Sequence, residues 1–144
     1  MNRDQITRQS TTDEDLLYLL GVSQWVFNSN CAFIIEMIDK EHHNNSDESW
    51  NTLLDLTAGT LKDYKNLVKT ILTEDIYDLF YELVEMRNAI IHSLPSGKKV
   101  DNYPVSIYRN TKKNLNFDID KRYLQEFIKK NEKLSLLIHE VRGS

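Results

Sequence analysis

Three residues late in the chain carry its strongest chemistry: Arg87, Asn88 and His92, inside the run MRNAIIHSLP at residues 86–95. Histidine is the side chain that takes up and gives back a proton near neutrality, so His92 is the natural general acid or base. Arg87 stays charged and can fork two hydrogen bonds to phosphoryl oxygens as charge builds there. Asn88 can orient the imidazole or a phosphate oxygen without adding charge. Asn88 and His92 are four apart, so on a helix they share one side, continuing a polar stripe through Asp78, Tyr81 and Glu85. That stripe is expected to face a groove or a partner. Arg87 instead falls among Ile76, Leu79, Phe80, Leu83, Met86, Ile90 and Leu94, the apolar face of the same segment. Five residues at about 100° each leave Arg87 and His92 roughly 140° apart on an ideal helix, so one straight helix does not converge them.

An arginine, a polar residue, three residues and then a histidine, at the end of the third of four predicted helices, resembles the motif of HEPN domains. These are helical bundles, many of them metal-independent ribonucleases. The resemblance implies that the 2′-hydroxyl of an RNA nucleotide attacks the adjacent phosphorus, leaving a 2′,3′-cyclic phosphate and a 5′-hydroxyl. His92 would serve as acid or base and Arg87 would stabilise the phosphoryl transition state, with no cofactor and no metal. It further implies a homodimer whose composite active site takes groups from both chains across a two-fold axis, and the role of a toxin in a toxin–antitoxin or phage-defence pair, with an antitoxin as partner. One position departs from the pattern. HEPN toxins paired with nucleotidyltransferase antitoxins carry a tyrosine two positions after the histidine, where this chain has Leu94, so control by modification of that tyrosine is not expected.

Each residue also has a plainer reading. Arg87 fits a partly buried cation paired with a carboxylate such as Glu36, His92 a residue that caps the last carbonyls of a helix, and Asn88 a surface amide. These readings correspond to two other functions: a non-catalytic HEPN-like module that binds a nucleotide, an RNA or a partner protein, and a structural helical-bundle dimer. Glu36, Asp39 and His43, at i, i+3 and i+7, have metal-ligand chemistry, but a solvated helix face explains them better. Cys31 lies in an apolar setting without nearby cations and reads as core. After the motif come Lys98, Lys99, Arg109, Lys112 and Lys113, interleaved with Tyr103 and Tyr108. They offer cations for phosphates and rings for bases, and fit a solvated loop equally well.

The elements that must position these groups follow from periodicity. The chain has 144 residues, 40% of them hydrophobic, and is expected to form one domain. Residues 1–11 are polar and expected to fray. Thr12, followed by Asp13, Glu14 and Asp15, predicts a capped helix start. The apolar stripe from Leu16 to Ile38, broken by Ser23 and Asn30, predicts one long helix over 13–41. A polar connection leads to a second helix over 47–72, and Thr73, with Glu74 and Asp75, caps a third that ends near His92, before Pro95. Residues 95–118 predict a long loop or a small β-hairpin, with Val105 and Ile107 alternating against Leu115, Phe117 and Ile119 around a turn at 110–114. A last helix over 120–141 turns Leu124, Phe127, Ile128, Leu134, Leu137, Ile138 and Val141 inward. The predicted class is therefore all-α, a four-to-five-helix up-and-down bundle. The single cysteine cannot form an internal disulfide and no apolar run could span a bilayer, so the chain is expected to be cytoplasmic and without membrane contact. A net charge of −4 argues against broad binding to nucleic acid and leaves a local basic patch as the route to RNA.

Overall fold

The computed structural model describes residues 13–42, 73–100 and 103–143. They form helices α1 (Glu14–His42), α2 (Glu74–His92) and α3 (Lys121–Gly143), with strands β1 (Leu94–Val100), β2 (Tyr103–Asn110) and β3 (Leu115–Ile119) between α2 and α3. The expected all-α bundle is thus incorrect: the described residues combine three helices with a three-stranded antiparallel sheet. The helix expected over 47–72, the frayed segment 1–11 and the cap at Thr12 lie outside the described residues. No described helix is long and apolar enough to cross a membrane.

Local chemistry explains each helix start. Asp13 caps α1, its Oδ1 accepting from the Leu16 N–H at 3.1 Å. Thr73 caps α2 through Ile76 N–H at 3.2 Å, and Asp120 caps α3 through Tyr123 N–H at 2.8 Å. Contacts between the helices fix their directions. Asp13, Asn30 and Phe33 of α1 meet Lys121, Asn131 and His139 of α3 in order, so these helices run parallel. Glu82 and Met86 of α2 meet Lys130 and Tyr123 of α3 in reverse order, so α2 runs antiparallel. The C-terminus of α2 therefore shares one end of the molecule with the N-termini of α1 and α3, and the sheet sits between α2 and α3 at that end.

The core is built where the three apolar stripes meet. Phe27 of α1 stacks on Phe80 of α2, with centroids 6.4 Å apart, and tilts against Phe127 of α3 at 5.8 Å. Ile34, Leu83, Val84, Leu134 and Ile138 close around them with no exposed surface. A smaller cluster of Ala89, Ile119 and Leu124, packed by Tyr108 and Tyr123, joins the end of α2 to the sheet and the start of α3. Deep among the helices, Asn30 Nδ2 donates to Asn131 Oδ1 at 3.0 Å and to the Asn131 carbonyl at 2.9 Å. Asn131 Nδ2 in turn donates to the Phe127 carbonyl at 2.9 Å. Two buried amides are tolerated because each satisfies the other.

The alternation around Val105–Ile107 and Leu115–Ile119 does build paired strands β2 and β3, from Ser106↔Ile119 to Asn110↔Leu115. What the alternation does not reveal is β1. Its sequence LPSGKKV has no apolar alternation and contains a proline and a glycine. It is recruited as an edge strand by β2, where a missing N–H is tolerated. Its register jumps between Pro95↔Ser106 and Lys99↔Pro104, and Gly97, at φ +73°, supplies the left-handed backbone that this bulge requires. The Ser96 hydroxyl pins the bulge, donating to the Val105 carbonyl at 2.8 Å and accepting from Lys98 N–H at 3.1 Å.

Candidate functional site

Helix α2 continues without interruption through His92, and Ser93 closes it. Its backbone N–H and its hydroxyl both reach the Ile90 carbonyl, the hydroxyl at 2.7 Å. The carbonyl cap thus belongs to Ser93, and among the described residues no side-chain hydrogen bond of His92 is found. His92 is exposed at the helix end, flanked by Ile91, 45% exposed, and Leu94, 71% exposed.

Arg87 occupies a different environment. It is half-buried, with its guanidinium over the Phe27 ring at 5.8 Å, a cation–π contact that ties α2 to α1. Its Nη1 donates to Asn88 Oδ1 at 3.2 Å, while its buried Nε has no hydrogen-bond partner. A carboxylate is the usual companion of a cation in such a setting, yet none of the ion pairs among the described residues involves Arg87. Cys31 lies close enough to feel the charge. Burial pushes its thiol up to about 12, with Arg87 opposing; the side chain packs against the core, as expected, but with a cation nearby that the sequence reading did not place there.

The structure therefore brings Arg87 and Asn88 into contact and leaves His92 apart from Arg87 within one chain, because an unkinked helix keeps the two directions well separated. The stripe of Asp78, Tyr81 and Glu85 is exposed along α2, leading to His92. Glu36 is half-buried on α1; the side chain of Asp39 and all of His43 lie outside the described residues, among which no group of three metal-ligating side chains converges.

The five basic residues after the motif separate into distinct roles. Lys98 is paired with Asp118 at 2.8 Å. Lys99 is exposed, opposite Pro104. Arg109 donates to Asn116 Oδ1 at 3.2 Å and, by a short bond, to Asn114 Oδ1. Lys112 and Lys113 are exposed in the turn between β2 and β3. Tyr108 does not offer a free ring. It stacks on Phe117 at 6.2 Å and packs on the Ala89 cluster, so this one of the two expected rings is engaged by the fold itself, while the side chain of Tyr103 lies outside the described residues. Sequence reasoning missed Tyr123, whose hydroxyl lies 3.5 Å from the Met86 carbonyl, one residue before Arg87. Burial, with smaller effects of Glu126, Tyr108 and Glu82, pushes this phenol up to about 12. Its place in the inward stripe between Asp120 and Leu124 was the available signal.

The chain matches no protein-family model, no curated protein and no solved structure at a significant level.

Proposed function

We propose that this chain is a HEPN-like, metal-independent endoribonuclease that acts as a homodimer, with Arg87 of one chain and His92 of the other around one scissile phosphate. The observation that carries this reading is the Arg87 guanidinium, whose buried Nε has no hydrogen-bond partner among the described residues, on the same unbroken helix as an exposed histidine. A cation with no carboxylate partner among the described residues is suited to an anion that arrives from outside. In the reaction, the RNA 2′-oxygen bonds to phosphorus as the P–O5′ bond breaks, with the 2′ proton passing to a base and the 5′ oxygen receiving one from an acid. His92 supplies one or both transfers, and Arg87 holds the phosphoryl oxygens. Asn88, bonded to Arg87, positions the guanidinium. The exposed apolar residues beside His92 support a second chain there. By the same resemblance, the protein is the toxic member of a toxin–antitoxin or phage-defence pair and meets an antitoxin.

Expression of the wild type beside Arg87→Ala and His92→Ala tests this reading, following growth and RNA integrity. Wild type alone should arrest growth and degrade RNA. The purified protein should leave 2′,3′-cyclic phosphate and 5′-hydroxyl ends and keep cutting in excess EDTA. Equal growth of all three strains, or products with 5′-phosphates, would count against the mechanism. The contact of Arg87 with its own neighbour Asn88 and with Phe27 favours a second reading, a binding module without catalysis. Retained RNA binding without cleavage would select it.

A further inference from the structure

We infer that the turn between β2 and β3 is the phosphate-binding end of the RNA site, carried by Arg109, Lys112 and Lys113, and that Lys98 and Lys99 take no part. The inference deepens the nuclease reading and rests on it for the purpose of the bound RNA. Three independent features point to this turn.

The first is position. Leu94, two residues after His92, pairs with Ile107, and Arg109 lies two residues further along β2. Chain reach and the pair spacing put the His92 and Arg109 backbones at most about 20 Å apart. Lys99 pairs with Pro104, on the other side of Ile107 and about 10 Å along the strand, in the direction that leads away from where β1 leaves α2. The sheet thus sorts the cations, placing Arg109, Lys112 and Lys113 at the His92 end.

The second is charge. Between Asp101 and Asp118 the chain holds Arg109, Lys112 and Lys113 and no acidic residue, on a protein whose net charge is −4. Lys98 has its charge matched by Asp118.

The third is how the turn is built. Asn110 Oδ1 accepts from Lys113 N–H at 3.0 Å, while Asn114 and Asn116 hold the Arg109 guanidinium. Asn114 also takes the left-handed conformation, at φ 55°. Aspartate could form the same bonds at each of these three positions, and each would cancel a positive charge. The carboxamides of Asn114 and Asn116 order the Arg109 guanidinium and leave it unneutralised, and that of Asn110 fixes the backbone beneath Lys113 without adding a negative charge, an arrangement that favours a polyanion over fold stability. Tyr108 is engaged by Phe117 and by the Ala89 cluster, and residues 111–114 of the turn carry no aromatic ring, so this end is proposed to meet the phosphate backbone and not the bases.

The test measures binding apart from cleavage, using a fluorescein-labelled single-stranded RNA with 2′-O-methyl riboses, which lacks the attacking hydroxyl. Lys112→Ala/Lys113→Ala should reduce the slope of log affinity against log salt by about 1.4, at about 0.7 per single-strand phosphate contact. Asn116→Asp, which keeps the Arg109 bond and strengthens it, should raise the melting temperature yet weaken binding. A purely structural turn predicts no loss of binding. Lys98→Ala/Lys99→Ala should leave the slope unchanged, and oligo-U and oligo-A should bind alike. An unaltered slope in the Lys112/Lys113 variant, an equal loss in the Lys98/Lys99 variant, or tighter turn-dependent binding of labelled poly-glutamate would overturn the inference. Turn-dependent binding without cleavage of unmodified RNA would keep it and remove the nuclease reading. Cleavage with a salt dependence indifferent to the turn variants would do the reverse.

Discussion

Arg87 separates a catalytic account from a structural one. Its guanidinium rests on Phe27 and bonds to Asn88, but Nε is buried without a partner, and an unsatisfied buried donor costs about 1–3 kcal/mol. If the arginine is retained for chemistry, Arg87→Met should keep the packing on Phe27, abolish RNA cleavage and leave the melting temperature unchanged or higher. A structural arginine predicts the opposite: a loss of stability, from the missing cation–π contact and the stranded Asn88. Thermal unfolding beside a cleavage assay decides between them. Spacing in the sequence identified Arg87 as a cation on an apolar face. Its expected partner, Glu36, does not form an ion pair with it among the described residues, because which side chain meets which across helices depends on packing that spacing does not encode.

Among the elements, the start of α1 is joined electrostatically to the start of α3. Burial works to raise the Asp13 pKa, but the Leu16 and Asp15 N–H groups and the Lys121 ammonium, at 3.0 Å, outweigh it, so the carboxyl lies below its ordinary 3.8. A lowered pKa in the folded state means that protons bind the unfolded chain more readily. The stabilisation is therefore present above 3.8 and is lost as pH falls through the lower folded value. Asn at this position still caps α1, so Asp13→Asn isolates the charge. Its melting temperature should fall below that of wild type at neutral pH, and the gap should close below about pH 3.8. A gap that persists there would mean that the cap geometry, and not the charge, holds the junction. The cap at Thr73 was legible because capping is local, and the last helix was expected to start at 120, where the structure shows Asp120 to be its cap. Strand β1 was not legible, because its pairing comes from β2 and not from its own residues.

At the scale of the whole molecule, the prediction concerns assembly. A helix that keeps Arg87 and His92 on separate directions requires a second chain if both act on one phosphate, and the exposed Tyr81 and Ile91 on α2, with Leu94 at the start of β1, offer apolar surface for it. A mixed dimer of one Arg87→Ala chain and one His92→Ala chain retains one arginine and one histidine on different chains. It should keep part of the wild-type activity, while each homodimeric variant has none. Full activity in a species that light scattering shows to be monomeric would exclude the shared site.

The sequence by itself determined the long α1 stripe with its polar breaks at Ser23 and Asn30, the capped and proline-limited α2 and the inward face of α3, since each depends on contacts within a turn or two of chain; between a long loop and a hairpin over 95–118 it left the choice open. It also placed Arg87, Asn88 and His92 on one helix. Tertiary structure decided what lies far apart in sequence. It bonded Asn30 to Asn131, turned the expected all-α arrangement into helices with a sheet, and ran α1 parallel to α3. It also distinguished Lys98, neutralised by Asp118, from Arg109, held by neutral amides. Charge and periodicity describe what a residue can do; only the long-range register of strands and helices sets which partner it meets, and so which cations remain available at the His92 end.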